Sequence, residues 1–162
     1  MSNNRLIFKQ MIEVGSIIPN VNGLDQLGEM IHLADHKGKK TVIYFYPKDD
    51  TPGCTAQACN IRDNYNLLLE NNIRIIGVSA DSSSSHAKFA KKYDLPFPLI
   101  ADTDKEIINA FGVWGEKKFM GKTYDGIHRT SFLANELGEI ISIITKPKTK
   151  EHSEEIIELF NN

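Results

Sequence analysis

Apolar residues along the chain form short β-branched runs that alternate with longer stretches of helical spacing. Residues 41–46 (TVIYFY) and 73–80 (IRIIGVSA) are typical of buried strands. Residues 131–134 (SFLA) and 139–145 (EIISIIT) are typical of a hairpin that turns at 137–138. Because strands and helices alternate along the chain, we expect an α/β fold with these four strands at the centre of its sheet.

The stretches between and after these strands predict four helices. The first runs from about Pro52 to Glu70 and carries one apolar stripe. This stripe consists of Cys54, Ala58, Ile61, Tyr65 and Leu68. The second helix begins after Asp81 or a neighbouring serine, which caps it, and the third ends at Gly112. Residues 150–160 (KEHSEEIIELF) form a closing amphipathic helix.

Two segments lack a regular pattern. Residues 112–129 contain four glycines and little periodicity, so they form either a functional loop or structure that the pattern does not reveal. Residues 1–10 are predicted to be an N-terminal extension, either a mobile arm or an edge segment docked through the apolar triplet Leu6-Ile7-Phe8. Residues 11–162 are expected to form a single domain.

The composition is that of an ordinary globular protein, with 41% hydrophobic residues, 25% charged residues and a formal net charge of -2. This charge gives no basic field for nucleic acids or acidic membranes. Residues 1–20 lack the apolar core of a signal peptide, and no segment approaches the roughly 18 uninterrupted apolar residues of a membrane helix. We therefore expect a cytoplasmic protein with no nucleic-acid or membrane partner.

The chain has two cysteines, Cys54 and Cys59, which lie close together in the segment TPGCTAQAC. A chain of this length buries about two-thirds of its surface and needs no disulfide or metal to fold. In a reducing cytosol a neighbouring pair is therefore more plausibly catalytic, redox-active or metal-binding. The five histidines show no ligand spacing around the pair, so we expect no metal site.

Cys54 lies at the start of the predicted first helix. Thr51 suits the N-cap position and Pro52 the first helical position, which puts Cys54 in the first turn. The unpaired N–H groups and the helix dipole there favour the thiolate, which is the nucleophilic form of cysteine. The alternative is that Cys54 serves only as a small buried apolar residue.

Cys59 follows five positions after Cys54 on the same predicted helix. In an intact helix this spacing separates the Cα atoms by about 8.7 Å, whereas a disulfide requires less than about 7 Å. The two thiols therefore bridge only if the first turns unwind. Oxidation of one thiol to sulfenic acid, followed by attack from the other after a local rearrangement, fits this geometry. The alternative is that Cys59 takes no part in the chemistry.

Residues 45–54 (FYPKDDTPGC) resemble the active-site segment of peroxiredoxins, in which a proline, a threonine and the reactive cysteine occur at the spacing of Pro47, Thr51 and Cys54. A second cysteine five residues later and the downstream segment 111–133 (FGVWGEKKFMGKTYDGIHRTSFL) widen the resemblance. The chain is similar to the bacterioferritin-comigratory-protein branch, from roughly Val14 to Phe160. The resemblance implies a thioredoxin-like fold with a central mixed β-sheet flanked by helices.

The same resemblance implies a role for each matching residue. Cys54 attacks the hydroperoxide, and Thr51 hydrogen-bonds the thiolate and the bound oxygen. Arg129 favours the thiolate and stabilises the polarised O–O bond, because a guanidinium charge acts strongly in a site shielded from water. Pro47 shields the thiolate from solvent, and Cys59 resolves the sulfenic acid.

The implied activity is a thioredoxin-dependent thiol peroxidase that reduces hydrogen peroxide and organic hydroperoxides in antioxidant defence. The sulfenic acid on Cys54 condenses with Cys59 to an intramolecular disulfide, and thioredoxin or a similar dithiol restores both thiols. No metal, haem or flavin cofactor is implied. Because resolution is intramolecular, the usual need for a dimer is removed and we expect a monomer.

Two aromatic residues and two rival functions remain open. Trp114 and Phe119 either pack in the fold or cover the site. A thiol-disulfide oxidoreductase on the same fold is disfavoured, since the chain has no Cys-x-x-Cys pair. A redox sensor shares the thiol chemistry and differs from an enzyme only in lacking repeated turnover.

Overall fold

The computed structural model describes residues 10–162, which contain nine strands and five helices. The strands are β1 (Asn22–Leu24), β2 (Met30–His32), β3 (Lys40–Phe45), β4 (Ile73–Ser79), β5 (Leu99–Ala101), β6 (Trp114–Phe119), β7 (Lys122–Ile127), β8 (Thr130–Ala134) and β9 (Ile140–Ile144). The helices are α1 (Pro52–Asp63), α2 (Tyr65–Glu70), α3 (Ser83–Tyr93), α4 (Glu106–Phe111) and α5 (His152–Phe160). The expectations for the extension and its triplet Leu6-Ile7-Phe8 lie outside the described residues.

Five strands form a central sheet in the order β5-β4-β3-β8-β9. Strand β3 lies in the middle, parallel to β4 and antiparallel to β8. Strand β5 pairs parallel with β4, and β9 pairs antiparallel with β8. The predictions of an α/β fold and of a mixed central sheet flanked by helices are therefore confirmed.

Apolar side chains fill both faces of this sheet, as strand β3 illustrates. Val42 and Tyr44 face one core, together with buried residues of α1, α3 and α5. Ile43 and Phe45 face the other core, which includes buried residues of α4. Since consecutive residues of a strand point to opposite faces, an uninterrupted apolar run is what a strand covered on both sides requires. Cys54 belongs to the first of these cores, and we call its side of the sheet the thiol face.

The predicted hairpin at the C-terminal end is confirmed. Strands β8 and β9 are antiparallel neighbours, and Gly138 takes a φ of 77° in the turn between them. This left-handed conformation is open to glycine at little cost. The ends predicted for the second and third helices also agree with the structure. The hydroxyl of Ser82 accepts the backbone N–H of Ser85, and Gly112 ends α4 with a φ of 72°.

The predicted helix from Pro52 to Glu70 is two helices, because the chain breaks at Asn64. Asn64 has a φ of -110° and a ψ of 12°, and its side-chain amide donates to the carbonyl of Asn60 at 2.8 Å. A side chain that bonds the carbonyl one turn earlier competes with the helical backbone, which accounts for the break. The predicted stripe nevertheless packs on the thiol face across both helices.

Residues 112–129 contain structure that the apolar pattern did not reveal. They form the hairpin of β6 and β7, which pair from Trp114 with Ile127 to Phe119 with Lys122. Met120 and Gly121 form its turn, with φ of 51° and 79°. Positive φ at both central residues is typical of the tight turns that join antiparallel strands. Among the described residues, no helix has both the length and the apolar composition needed to cross a bilayer.

Candidate active site

Cys54 is the third residue of α1, which follows directly on the loop after β3. Thr51 lies at the N-cap position with extended backbone angles, and Pro52 is the first helical residue, as the sequence predicts. Cys54 is only 2% exposed. The first N–H groups of a helix lack intrahelical acceptors, and the dipole is positive at this end. The fold therefore places the Cys54 thiol at the positive end of the α1 dipole.

Arg129 lies next to Cys54 in space, although it comes from the link between β7 and β8. Its Nη2 donates to the Sγ of Cys54 at 3.2 Å. Gly53 permits this approach, because a Cβ there would lie 3.1 Å from the same Nη2. A cation at hydrogen-bond distance from the sulfur adds to the stabilisation of a thiolate.

Gln57 holds the other arm of the same guanidinium. It lies three residues after Cys54 on α1 and is fully buried, and its Oε1 accepts from Nη1 of Arg129 at 2.7 Å. The sequence alone does not predict this contact. The available signal was its helical spacing, since residues at i and i+3 lie on one face of a helix. Arg129 is therefore fixed at two points on α1.

Two buried polar atoms on the thiol face have no hydrogen-bond partner among the described residues. They are the Oη of Tyr44 and the Nε2 of Gln57. Burial, followed by the charge of Cys54, raises the pKa of Tyr44 well above its ordinary value of 10.0. The phenol therefore stays protonated. Both atoms can donate a hydrogen bond.

Thr51 and Pro47 lie in the loop that joins β3 to α1. The hydroxyl of Thr51 donates to the carbonyl of Lys48 at 2.8 Å, and it makes no capping bond to the helix. Pro47 is half-buried and follows the buried Tyr46. The structure thus brings Cys54 and Arg129 into contact, whereas Thr51 bonds within its own loop.

Cys59 is half-buried on α1, and both cysteines are free thiols. Helix α1 is continuous from Pro52 to Asp63, so the two cysteines lie on intact helix. The helical separation of about 8.7 Å at Cα then applies, which is beyond the reach of a disulfide. In this structure the two thiols are therefore too far apart for a disulfide.

The β6–β7 hairpin contributes the two aromatic residues whose role the sequence left open. Trp114 packs against the core, with the Nζ of Lys105 4.7 Å from its ring centroid. Phe119 lies at the hairpin tip and is 65% exposed. Trp114 is therefore a packing residue, and Phe119 is exposed at the tip.

A second group of side chains, away from the two cysteines, has the residue types of a metal site. The sequence pattern does not predict this group. One side-chain ligand atom each from Asp49, Asp81 and His86 lies within 4.8 Å of the others. These atoms already hold hydrogen bonds: Asp49 accepts from Tyr46, and Asp49 and His86 bond each other. Because protein donors occupy these groups, we interpret the cluster as a hydrogen-bond network.

The chain is similar to known proteins over most of its length. Residues 14–143 match the model of the AhpC/TSA family. A putative peroxiredoxin bcp of Haemophilus influenzae is 47% identical over 147 residues, which cover 91% of this chain and 95% of that protein. Peroxiredoxin Bcp of Escherichia coli strain K12 is 44% identical, with 90% and 94% covered. Peroxiredoxin Bcp of Bacillus subtilis is also 44% identical, with 91% and 94% covered.

Solved structures agree with this assignment. Peroxiredoxin Q of Xanthomonas campestris has a TM-score of 0.83 at 32% identity, covering 95% of this chain and 98% of that chain. A structure concerned with the alkyl peroxide reduction activity of the Xanthomonas campestris bacterioferritin comigratory protein has a TM-score of 0.83 at 32% identity, with 94% and 98% covered. A cysteine variant of Xylella fastidiosa PrxQ has a TM-score of 0.87 at 28% identity, with 94% and 97% covered. The expected thioredoxin-like fold is confirmed, and the chain belongs to the AhpC/TSA family, among the Bcp peroxiredoxins.

Proposed function

We propose that this peroxiredoxin uses Cys54 as the thiolate that attacks a hydroperoxide and Cys59 as the thiol that resolves the product. The observation that carries the proposal is the contact between Arg129 and the Sγ of Cys54 at 3.2 Å, at the N-terminus of α1. The guanidinium and the helix dipole supply a preorganised positive environment for a thiolate, and the exclusion of water strengthens both interactions. No metal, haem or flavin takes part in the proposed chemistry.

In the first step the Cys54 thiolate attacks the terminal oxygen of the hydroperoxide. The S–O bond forms as the O–O bond breaks, the leaving oxygen takes up a proton to become water or an alcohol, and Cys54 becomes a sulfenic acid. Arg129 stabilises the charge that develops along the O–O bond. We assign Pro47 to shielding the sulfur. We assign Thr51 to hydrogen bonding of the thiolate and the bound oxygen, which requires its hydroxyl to leave Lys48.

In the second step the Cys59 thiol attacks the sulfenic sulfur of Cys54. An S–S bond forms as the S–O bond breaks, and the hydroxyl of the sulfenic acid leaves as water with the proton of the Cys59 thiol. Because α1 separates the two residues beyond bonding distance, the helix unwinds between them before the bond forms. The proposed enzyme therefore couples each turnover to a local unfolding of α1.

In the third step an external dithiol reduces the disulfide and becomes a disulfide itself, which returns both thiols of the enzyme. Thioredoxin or a similar protein is the expected reductant. Substrates are hydrogen peroxide and organic hydroperoxides, and the alkyl peroxide reduction activity studied in the similar Xanthomonas campestris protein supports the second class. Because both cysteines lie in one chain, a monomer completes the cycle.

We further propose that residues 11–162 act as one domain in antioxidant defence in the cytoplasm. The family match over residues 14–143 and the two cores packed on one sheet support a single domain. A disulfide that must be reduced in every cycle requires a compartment that supplies dithiols, which the cytoplasm does.

The test is peroxide consumption with thioredoxin, thioredoxin reductase and NADPH, for the wild type, Cys54→Ser and Cys59→Ser. We expect Cys54→Ser to lose all consumption, and Cys59→Ser to react once and then fail to cycle. Repeated turnover by the wild type separates an enzyme from a sensor. Rapid reduction of insulin by the wild type, without peroxide consumption, would favour a thiol-disulfide oxidoreductase instead.

A further inference from the structure

The loop between β3 and α1 contains Pro47 and Thr51 and leads directly into the helix that carries Cys54. Its shape depends on contacts with other elements. Within this loop, Asp50 adopts a left-handed backbone conformation with a φ of 54°. That conformation is unfavourable for residues other than glycine, although aspartate tolerates it better than most. A loop of this shape needs external contacts to hold it.

Asp49 supplies the main external contact. It is only 7% exposed, and its carboxylate accepts from Tyr46 at 2.6 Å, from Ser85 at 2.8 Å and from His86 at 2.7 Å. Its own backbone N–H donates to Asp81 at 2.9 Å. Ser85 and His86 lie on α3, so these bonds tie the active-site loop to a different helix. Three hydrogen bonds hold this buried carboxylate in one position.

His86 completes this anchor from the opposite side. Its ring is fully buried, with Nδ1 against the Asp49 carboxylate and Nε2 2.9 Å from the carbonyl of Ile100 on β5. Both ring nitrogens lie at hydrogen-bond distance from a partner, so His86 links the Asp49 carboxylate to β5. Removing either side chain leaves buried polar atoms without a hydrogen-bond partner, which is costly.

The phenol of Tyr46 stays a donor in the same network. Burial is the largest cause that raises the pKa of Tyr46 well above its ordinary value of 10.0, and the charge of Asp49 acts in the same direction. Asp81 faces the network from the end of β4, where it accepts from Ser79 at 2.7 Å. The loop, β4, α3 and β5 thus meet at one connected set of hydrogen bonds.

A second anchor lies on the surface and is weaker. Asp50 accepts from Lys92 at 2.8 Å and from Tyr93 at 2.8 Å, both on α3. Asp50 and Lys92 are exposed, and exposed ion pairs contribute little because water and salt screen them. The position of the loop therefore depends chiefly on Asp49.

We propose that Asp49 and His86 are positioning residues for the peroxidase reaction, which hold Pro47 and Thr51 in register with Cys54 and Arg129. The inference rests on the proposed function, because it assigns these residues a role in the reaction of Cys54. Neither residue touches the sulfur among the contacts described above, so they act through the loop. Displacing a reactive group by about 1 Å costs on the order of 100-fold in rate.

The experiment compares Asp49→Asn with Asp102→Asn. Asp102 is a matched control because it is also buried and accepts two backbone N–H groups, from Ile107 and Ile108 at the start of α4. Thermal unfolding reports the loss of stability in each variant. Stopped-flow fluorescence of Trp114, the single tryptophan of the chain, gives the rate constant of oxidation by hydrogen peroxide. Ultraviolet absorbance gives the thiolate content at neutral pH.

We expect Asp49→Asn to lower the oxidation rate constant by about tenfold or more and to lower the thiolate content, while Asp102→Asn changes both by less than about twofold. Removing a negative charge from the protein does not by itself disfavour a thiolate, so a loss of thiolate reports movement of the loop. His86→Gln keeps one donor toward Asp49 and should show a smaller loss. If Asp49→Asn does not fold, the comparison of His86→Gln with Asp102→Asn tests the proposal.

Unchanged rate constants in Asp49→Asn and His86→Gln would overturn the inference, and so would an equal loss in Asp102→Asn. A Cys54→Ser protein that still reacts at the wild-type rate would overturn the proposed function as well. If the wild type reacts through Cys54 and both Asp49→Asn and His86→Gln keep its oxidation rate constant, only the positioning role would be overturned.

Discussion

The Nη2 of Arg129 lies 3.2 Å from the Sγ of Cys54, although 75 residues separate them in the chain. The contact exists because β3 and β8 are neighbours in the sheet: α1 follows β3, and Arg129 immediately precedes β8. The same arginine donates to Gln57 on α1 at 2.7 Å. Strand pairing therefore assembles the site, and the two bonds of the guanidinium fix its geometry.

Arg129→Lys is expected to slow the oxidation of Cys54 by on the order of 100-fold. Lysine keeps the charge but lacks the planar fork that reaches the sulfur and Gln57 together. Stopped-flow measurement with hydrogen peroxide gives the rate constant. Arg74→Lys is the control, because Arg74 donates to the carbonyls of Leu33 and Asp35 away from the thiols. A wild-type rate constant for Arg129→Lys would contradict the assignment.

Gln57→Leu is expected to lower the same rate constant by roughly tenfold or more, since a hydrogen bond to a charged group is lost. The free energy of unfolding of Gln57→Leu should differ little from that of the wild type. The substitution also removes the buried Nε2, which has no hydrogen-bond partner among the described residues. Urea unfolding measures the change in stability. Loss of stability with an unchanged rate constant would show that Gln57 serves the fold and not Arg129.

Oxidation is expected to unwind α1 between the two cysteines, because the disulfide cannot form on intact helix. Amide hydrogen exchange should show protection of residues 55–59 in the reduced protein and loss of that protection in the disulfide form. Equal protection of this segment in both forms would count against the proposed resolving step.

Asn60 is expected to limit how far the unwinding spreads. Its side chain donates to Lys150 and Glu154 and accepts the backbone N–H of Ser153, which ties α1 to the start of α5. In the oxidised Asn60→Ala protein, exchange should extend into residues 61–63. Asn71→Ala is the control, since the side-chain amide of Asn71 donates to the carbonyl of Leu67 in α2. Identical hydrogen exchange in both oxidised variants would contradict the prediction that Asn60 limits the unwinding of α1.

Stability is expected to fall as the pH drops below about 6.5, in part because of His152. Burial is the main cause that lowers the pKa of His152 below its ordinary value of 6.5, and Glu155 opposes it. The unfolded chain therefore takes up the proton first as the pH falls, and the free energy of unfolding declines until the pH passes the lower folded-state pKa.

Urea unfolding of the wild type and His152→Gln across this range measures the effect. The variant should show a flatter dependence on pH below 6.5. His32→Gln, at an exposed histidine, should keep the slope of the wild type. Parallel curves for wild type and His152→Gln would contradict the prediction.

The elements that the sequence predicts well are those whose signals are local. Strands β3 and β4 are long apolar runs, and Thr51 with Pro52 marks the start of α1 whatever the rest of the fold does. Strands β1, β2 and β5 have three residues each, which is too short for a periodic signal. The β6–β7 hairpin is largely exposed, so its strands are stabilised by pairing and its apolar pattern is weak.

The residues of the site likewise differ in whether a local sequence signal predicts them. Cys54 and Cys59 stand out by residue type and helical position, and Arg129 was found only through the resemblance to peroxiredoxins. The contact between Gln57 and Arg129 depends on the pairing of β3 with β8, which no local pattern encodes. The Asp49–His86 pair likewise joins residues 37 positions apart.

The most direct test of the central claim is the intact mass of each protein after one equivalent of hydrogen peroxide. The account predicts that the wild type loses the mass of two hydrogen atoms, as a Cys54–Cys59 disulfide forms. Cys59→Ser should gain the mass of one oxygen atom, as the sulfenic acid persists, and Cys54→Ser should remain unchanged. A Cys54→Ser protein that gains the mass of one oxygen atom to the same extent as Cys59→Ser would contradict the account.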